Sequence, residues 1–334
     1  MSVSEVAIPR SVVKLYSRYG YTAFAVIAFV ILAVLNVVLD PSLVTASGFI
    51  STWATAAPLV LLAIAVTPSL LSGNGGIDLS LGPFAGFCTV LIGTFLNVGM
   101  FGQAYFVVPV IIALGVVLGL VNGALVSVMR LQPIMATLGT YLIFTGLAEF
   151  YSPGTGGTVP AWLTNIGASV TDLAIVVVVI VAWLLMKRTN FFSQLMAVGQ
   201  DDRAAYTSGI SVGGIRIMAY VIGGFIAGVA GMAMTALISG ASSSIGPSYT
   251  LTSIAAAALG GVSLAGGRGG ILGSVIGALD IFLIENVLTL TNIPVFADNV
   301  AYGLILVVAV VVNGVTGGQG VSVIVNKMFS GKKR

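Results

Sequence analysis

The sequence predicts an all-α polytopic membrane protein with about ten transmembrane or half-membrane helices. Of its 334 residues, 58% are hydrophobic and only 7% are charged, a composition that membrane helices require and a soluble core does not. The apolar segments are continuous runs, such as 175–185 and 304–312, whereas a transmembrane β-barrel shows short segments of alternating hydrophobicity. We therefore expect helices and exclude the barrel.

Apolar runs between polar or glycine-rich segments define the predicted spans. The first is interpreted as an uncleaved helix and not as a signal peptide, because no convincing small-residue cleavage site precedes Asp40. Several runs are shorter than the ~20 residues of a full crossing, and 251–264 is interpreted as a half-helix. The predicted spans are 21–39, 50–71, 79–98, 104–128, 133–150, 172–186, 215–238, 251–264, 270–289 and 299–315.

Lysine and arginine residues predict the orientation of these spans. They precede the first span, occupy the loop 187–216, follow the last span, and occur singly at Arg130 and Arg268. With both termini in the cytoplasm, every cluster falls on the cytoplasmic side, as the positive-inside rule requires. The predicted organisation is one membrane domain over 1–334, with a cytoplasmic N-terminal segment 1–20, a cytoplasmic loop 187–216 and a cytoplasmic basic tail 316–334.

The charged and metal-ligating residues exclude several functions. The net charge is only +3 and the basic residues flank spans, so no nucleic-acid partner is predicted. The chain has no histidine and a single cysteine, Cys88, which excludes an internal disulfide and removes the usual ligands of zinc, copper or haem. No cofactor and no metal site are predicted.

Paired glycines interrupt the apolar sequence at two corresponding places. Gly75, Gly76, Gly82 and Gly86 recur as Gly266, Gly267, Gly273 and Gly277, at one offset of 191 residues (266 minus 75). Glycine-broken hydrophobic segments at matching positions of two halves indicate a substrate path built from discontinuous helices. A separate stripe, with glycine at 115, 119 and 123, predicts close helix packing.

The loop 187–216 contains a short predicted helix, from about 200 to 208. Asp201 and Asp202 stand near its N-terminus, where the helix dipole favours anions, and Gly209 is a C-terminal stop. The alternative is a solvated loop whose charges only fix topology.

Four segments resemble the permease subunits of bacterial carbohydrate ABC importers, of the ribose, xylose, arabinose and galactofuranose type. This family lies within the branched-chain amino acid and sugar permease superfamily, and the resemblance runs from about residue 50 to 315. The segments are 75–82 (GGIDLSLG), 132–140 (QPIMATLGT), 199–210 (GQDDRAAYTSGI) and 258–269 (ALGGVSLAGGRG).

The resemblance implies a type II ABC importer-like permease in the bacterial inner membrane. Its implied partners are cytoplasmic ABC ATPase subunits, a periplasmic or surface substrate-binding protein, and a second permease copy or paralogous permease. The chain is then not an enzyme, since ATP hydrolysis resides on the ATPase, and the sequence has no nucleotide-binding loop. The implied residues for coupling to the ATPase are Gly199, Gln200, Asp201, Asp202, Arg203, Ala204, Ala205, Ser208, Gly209 and Ile210.

Polar and aromatic residues near the breaks are candidates for the substrate path. Asp78 follows a glycine pair at a membrane edge, where a carboxylate is costly unless it is paired or functional. It is also placed to cap the third span, and the two roles are compatible. Glu285 is either a path residue or a residue at the outer interface. The candidates are Asn74, Asp78, Ser80, Phe84, Thr137, Tyr141, Glu285 and Asn286.

The expected function is import of a pentose or hexose. Within the same family the substrate alternatives are a nucleoside, inositol or a branched-chain amino acid. A stand-alone secondary transporter also uses glycine breaks and repeats, but it needs buried ion ligands, for which Asp78, Asp280 and Glu285 are the candidates. A channel or structural membrane protein is the third possibility.

Overall fold

The computed structural model describes residues 10–152, 154–167 and 169–291, with positions 293, 300, 303, 304 and 307 beyond them; for residues 10–23 it describes the backbone alone. Most of the predicted tenth span and all of the basic tail 316–334 lie outside the described residues, as do residues 1–9.

The described residues form helices and one short antiparallel ribbon, which confirms the all-α prediction for this part of the chain. Pro41–Val44 and Gly99–Gly102 are 3-10 turns, and the ribbon pairs Thr155 with Ser242. The helices are α1 (Arg10–Leu39), α2 (Ala46–Leu71), α3 (Leu81–Thr94), α4 (Ala104–Ser127), α5 (Pro133–Tyr151), α6 (Ala161–Gly167), α7 (Thr171–Met186), α8 (Asn190–Gln200), α9 (Asp202–Thr207), α10 (Val212–Ile238), α11 (Ile245–Leu259) and α12 (Ile271–Leu290), and the strands are β1 (Thr155–Gly156) and β2 (Ala241–Ser242).

Fewer helices than predicted are long enough to cross a membrane. Within the described residues five qualify, namely α2, α4, α5, α10 and α12, or six if α6 and α7 together form one bent span. The count of about ten is therefore not confirmed. The predicted spans 79–98 and 251–264 correspond to α3, with 14 residues, and α11, with 15, both below the ~20 residues of a full crossing.

Backbone turns explain why these two helices are short. α3 begins only after a run of left-handed residues at 73–75, and α11 ends where Gly261 adopts a φ of +89°. α11 also starts at Ile245, six residues before the predicted half-helix (251 minus 245). The predicted span 251–264 runs through the second of these turns, because small apolar residues continue across Gly260 and Gly261.

The outer faces of several helices are apolar. Val117 of α4, Leu142 of α5 and Val178 of α7 are 53%, 61% and 65% exposed. Apolar surface on this scale is stable in lipid and unfavourable in water. The described helices therefore belong in a membrane.

α10 is the centre of the bundle and packs against α4, α2 and α3. The predicted glycine stripe of α4 makes this contact close: Gly115 faces the backbone of Gly224, and Gly119 faces that of Tyr220. α10 has 27 residues, which at ~1.5 Å per residue separates its ends by about 40 Å. One end adjoins α9 and the other adjoins β2, so these two features lie at opposite ends of the bundle.

Candidate functional site

Three consecutive residues in left-handed conformations terminate α2. Gly73, Asn74 and Gly75 have φ angles of +73°, +56° and +66°, a region that favours glycine and tolerates asparagine. The N–H of Gly76 donates to the carbonyl of Gly73 over 3.0 Å, so the chain turns within a few residues. We call residues 72–80 the first break.

A buried chain of hydrogen bonds ties the first break to α4 and α5. The Ser80 hydroxyl donates to Oδ1 of Asp78 over 2.6 Å and accepts from Nδ2 of Asn122 over 2.8 Å. Oδ1 of Asn122 accepts from the Thr140 hydroxyl over 2.9 Å. All four side chains are buried. Because they come from three segments, the network fixes the position of the break relative to α4 and α5.

Thr137 adds a second link between the first break and α5. The N–H of Leu79 donates to Oγ1 of Thr137 over 3.2 Å. The predicted residues Asp78, Ser80 and Thr137 therefore come together in the structure. Asn122 is a member that the sequence prediction missed, although it is the only amide in the apolar helix α4, and that singularity could have identified it.

The predicted N-cap role of Asp78 is wrong. α3 begins at Leu81 with Ser80 as its N-cap, and Ser80 makes no side-chain capping bond. Asp78 lies two residues before that N-cap. Its Oδ1 accepts the N–H of Ser80 over 3.0 Å, and this bond closes an Asx turn. Its Oδ2 has no hydrogen-bond partner among the described residues. The carboxylate thus shapes the entry to α3.

The remaining predicted path residues lie apart from this network. Phe84 is fully buried, and its ring meets that of Phe144 edge to face with centroids 5.3 Å apart. Nδ2 of Asn286 in α12 donates to Oδ1 of Asn36 in α1 over 2.8 Å. Both residues contribute to helix packing in this conformation. Asn74 is exposed, whereas Tyr141 and Glu285 are partly buried.

The second glycine-marked interruption forms a second break, residues 260–270, between α11 and α12. Gly261, Gly266, Gly267 and Gly269 all have φ between +66° and +108°. The N–H of Gly267 donates to the carbonyl of Leu71, the last residue of α2, over 3.1 Å. A Cβ on Gly266 would overlap Cα of Gly73, so the two breaks are in contact, at one end of the bundle.

The paired glycines beyond each break pack on the same helix, α11. A Cβ on Gly86 would lie 2.8 Å from Cα of Gly246, at the start of α11. Gly277 faces the carbonyl of Ala256, near its end. Gly86 of α3 therefore packs against the first half of α11, and Gly277 of α12 packs against its second half.

The predicted short helix in the loop 187–216 is confirmed as α9, with defined caps at both ends. Asp201 is its N-cap and accepts from the N–H groups of Arg203 and Ala204 over 2.9 and 3.0 Å. Gly209, with a φ of +82°, is the C-terminal stop. Its N–H donates to the carbonyl of Tyr206 over 3.0 Å, as in a Schellman motif. A preceding helix, α8, was not predicted.

α9 is anchored on one face and exposed on the other. Ala205 is buried, and Oδ2 of Asp202 accepts from Arg216 of α10 over 3.0 Å. Tyr206 is 73% exposed and was missing from the predicted coupling residues, although an aromatic residue in a polar loop helix is a signal for a contact surface. Together with the exposed Arg203, it offers a second molecule both an aromatic and a charged contact.

A cavity of about 580 Å³ lies at the other end of α10, beside the ribbon. Among the described residues that line it none is charged, and its hydroxyl groups come from Thr155, Ser239, Ser242, Ser244 and Ser248. Neutral donors and acceptors of this kind suit a neutral hydroxylated molecule.

Residues 48–311 match the protein family described as branched-chain amino acid transport system / permease component. The autoinducer 2 import system permease protein LsrC of Shigella flexneri is 34% identical over 301 residues, which cover 87% of this chain and 86% of that protein. The LsrC proteins of Escherichia coli O157:H7 and Salmonella choleraesuis (strain SC-B67) are each 33% identical, over 87% of this chain and 86% and 85% of their own lengths. No solved structure matches the chain significantly.

Proposed function

Because the chain belongs to the permease component family of branched-chain amino acid transport systems, we propose that it imports a monosaccharide delivered by a substrate-binding protein. Membership confirms the resemblance to ABC importer permeases, so the chain is a multi-pass transmembrane transport subunit. ATP hydrolysis on a separate partner subunit is part of the proposal, as are the pairing with a second permease and the cytoplasmic position of both termini.

The observation that carries this proposal is the construction of α9. A short helix with an N-cap, a left-handed glycine stop and an ion pair to α10 is held firmly in place while Tyr206 and Arg203 project outward. An ATPase that docks on this face can displace α9 and, through Arg216, the central helix α10. We assign the coupling role to the residues of α9 and its flanks, 199–210.

We assign the substrate path to the two breaks, on the mechanism of alternating access, in which the path opens first to one side of the membrane and then to the other. Asp78, Ser80, Phe84 and Thr137 are buried in the described conformation, so they reach substrate only in a second arrangement of the first break. The exposed Asn74 and the partly buried Tyr141, Glu285 and Asn286 complete the proposed path. On this assignment α9 and both breaks face the cytoplasm, and the ribbon with its cavity faces outward.

The substrate proposal rests on the neutral, hydroxyl-lined cavity at the outward end. A monosaccharide offers many hydroxyl groups and no charge, which matches such a lining. Autoinducer 2 is a second candidate, since the named relatives import it. The alternatives are a nucleoside, inositol or a branched-chain amino acid; the amino acid fits least, because it carries two charges and none of the described lining residues is charged.

The test begins with the complex that co-purifies with the tagged permease. We expect an ATPase to accompany it, and calorimetry of the cognate binding protein should show a pentose or hexose as its ligand, in preference to inositol, nucleosides and autoinducer 2. Uptake into proteoliposomes that contain the permease without any ATPase would identify a secondary transporter and contradict the proposal.

A further inference from the structure

The C-terminal end of α8 meets both breaks at one point. The N–H of Gly267 donates to the carbonyl of Leu71, and Nε2 of Gln200 donates to the carbonyl of Gly267 over 3.4 Å. Gly199 lies between them. We call the meeting of Gly73, Gly199, Gly266 and Gly267 the glycine junction.

The glycine junction is a contact between backbones with no room for side chains. A Cβ on Gly199 would overlap the carbonyl oxygen of Leu71 and lie 2.5 Å from the nitrogen of Gly267. A Cβ on Gly73 would lie 2.9 Å from Cα of Gly199, and one on Gly266 would lie 2.8 Å from the carbonyl oxygen of Gly199. Real Cβ atoms essentially never approach this closely. The end of α8 and the two breaks can therefore approach one another this closely only because each has glycine at the contact.

The junction is adjacent to α9 along the chain. Only Gln200 and Asp201 separate Gly199 from the first residue of α9, and Asp201 is the N-cap that holds this helix. Packed interiors have low compressibility and pass displacements on, whereas long side chains absorb them by changing rotamer. A displacement of α9 therefore reaches both breaks with little loss.

We infer that Gly199 is the positioning residue through which the ATPase-facing helix α9 moves both membrane breaks together. This inference rests on the proposed function of α9. The two breaks, which the glycine repeat places in corresponding halves of the chain, then respond as one unit because both contact the same backbone. A contiguous contact between packed elements is one physical carrier of such coupling, and the glycine junction supplies that contact.

The test compares Gly199→Ala with Gly146→Ala in the intact permease–ATPase complex with its binding protein. Gly146 is exposed in α5, and a Cβ there would meet nothing within 4 Å. We expect Gly199→Ala to lose about tenfold or more of its uptake per ATP hydrolysed, within the range of typical coupling energies. Gly146→Ala should match the unmodified complex, and undiminished uptake per ATP in Gly199→Ala would overturn the inference.

Hydrogen exchange supplies a readout that a merely structural role of Gly199 would leave unchanged. In the unmodified complex, trapping the ATPase with a non-hydrolysable ATP analogue should alter protection in 199–210, 72–80 and 260–270 together. In Gly199→Ala only 199–210 should respond. If this variant does not assemble, the measurement on the unmodified complex still decides, because a response of one break without the other contradicts the inference. A complex without coupled uptake at all would contradict the proposed function instead.

Discussion

Two substitutions of Asp78, by asparagine and by alanine, distinguish the contribution of its hydrogen-bonding oxygen from that of its negative charge. Oδ1 accepts two hydrogen bonds from Ser80, from the hydroxyl and from the backbone N–H, whereas Oδ2 has no partner among the described residues. Asparagine keeps the acceptor in place and removes the charge, and alanine removes both. If Asp78 serves only to shape the first break, the two variants should differ widely.

The structure gives the expected magnitudes. Asp78→Ala loses two buried hydrogen bonds of ~1 kcal/mol each and leaves the N–H of Ser80 unsatisfied, so we expect a loss of about 2–3 kcal/mol of unfolding free energy. Asp78→Asn also relieves the cost of a buried charge, which offsets the two amide hydrogens it adds, and should stay within about 1 kcal/mol of the unmodified protein.

Unfolding in detergent, followed by uptake in proteoliposomes, measures both effects. Asp40 is the matched control, because its Oδ1 accepts the N–H of Ser42 over 3.0 Å in the same way at an exposed turn. Water replaces this acceptor in Asp40→Ala, which should lose less than about 1 kcal/mol. An Asp78→Asn variant as unstable as Asp78→Ala would refute the reasoning. A stable Asp78→Asn that has lost uptake would show that the charge takes part in transport.

Three further predictions concern α9 and the α1–α12 contact. Asp202→Arg should uncouple hydrolysis from uptake, and Arg216→Asp added to it should restore part of the coupling; the pair's interaction energy from a double-mutant cycle should be about 0.5–1 kcal/mol, since Asp202 is 43% exposed. Gly209→Val should abolish stimulated hydrolysis while the permease stays folded, because a β-branched residue cannot adopt the φ of +82°; surviving stimulation would remove α9 from the coupling role. Asn286→Leu should lower stability by about 0.6–1.7 kcal/mol through loss of the bond to Asn36, and it should also raise the KM of uptake because Asn286 is assigned to the path; an unchanged KM would remove it from the path.

The sequence predicted the features that depend on local chemistry. Asp201, Asp202 and Gly209 are a helix start and a helix stop whatever the surroundings, and α9 follows them closely. The repeated glycines at an offset of 191 residues (266 minus 75) correctly marked both breaks. In each case the residue type itself restricts the backbone conformation, so a single sequence is sufficient to predict the feature.

The features that depend on distant contacts could not be predicted in this way. Asp78 was expected to cap a helix, and its bond to Ser80 differs from a cap only because α3 starts at Leu81. Phe84 and Asn286 stay predicted path residues, but their packing partners Phe144 and Asn36 come from distant parts of the chain and could not be predicted.

The glycine junction shows the same limit. Leu71, Gly199 and Gly267 meet although they are far apart in the chain. Gly199 was expected to take part in coupling, but no pattern in the sequence linked it to the breaks.

Reconstitution of the co-purified complex in proteoliposomes tests the central claim most directly. With ATP inside the vesicles and the substrate-loaded binding protein outside, we predict uptake of the labelled sugar that ceases when ATP, the ATPase or the binding protein is omitted. Uptake that continues at the same rate without ATP, or that is driven by an ion gradient alone, would contradict the account.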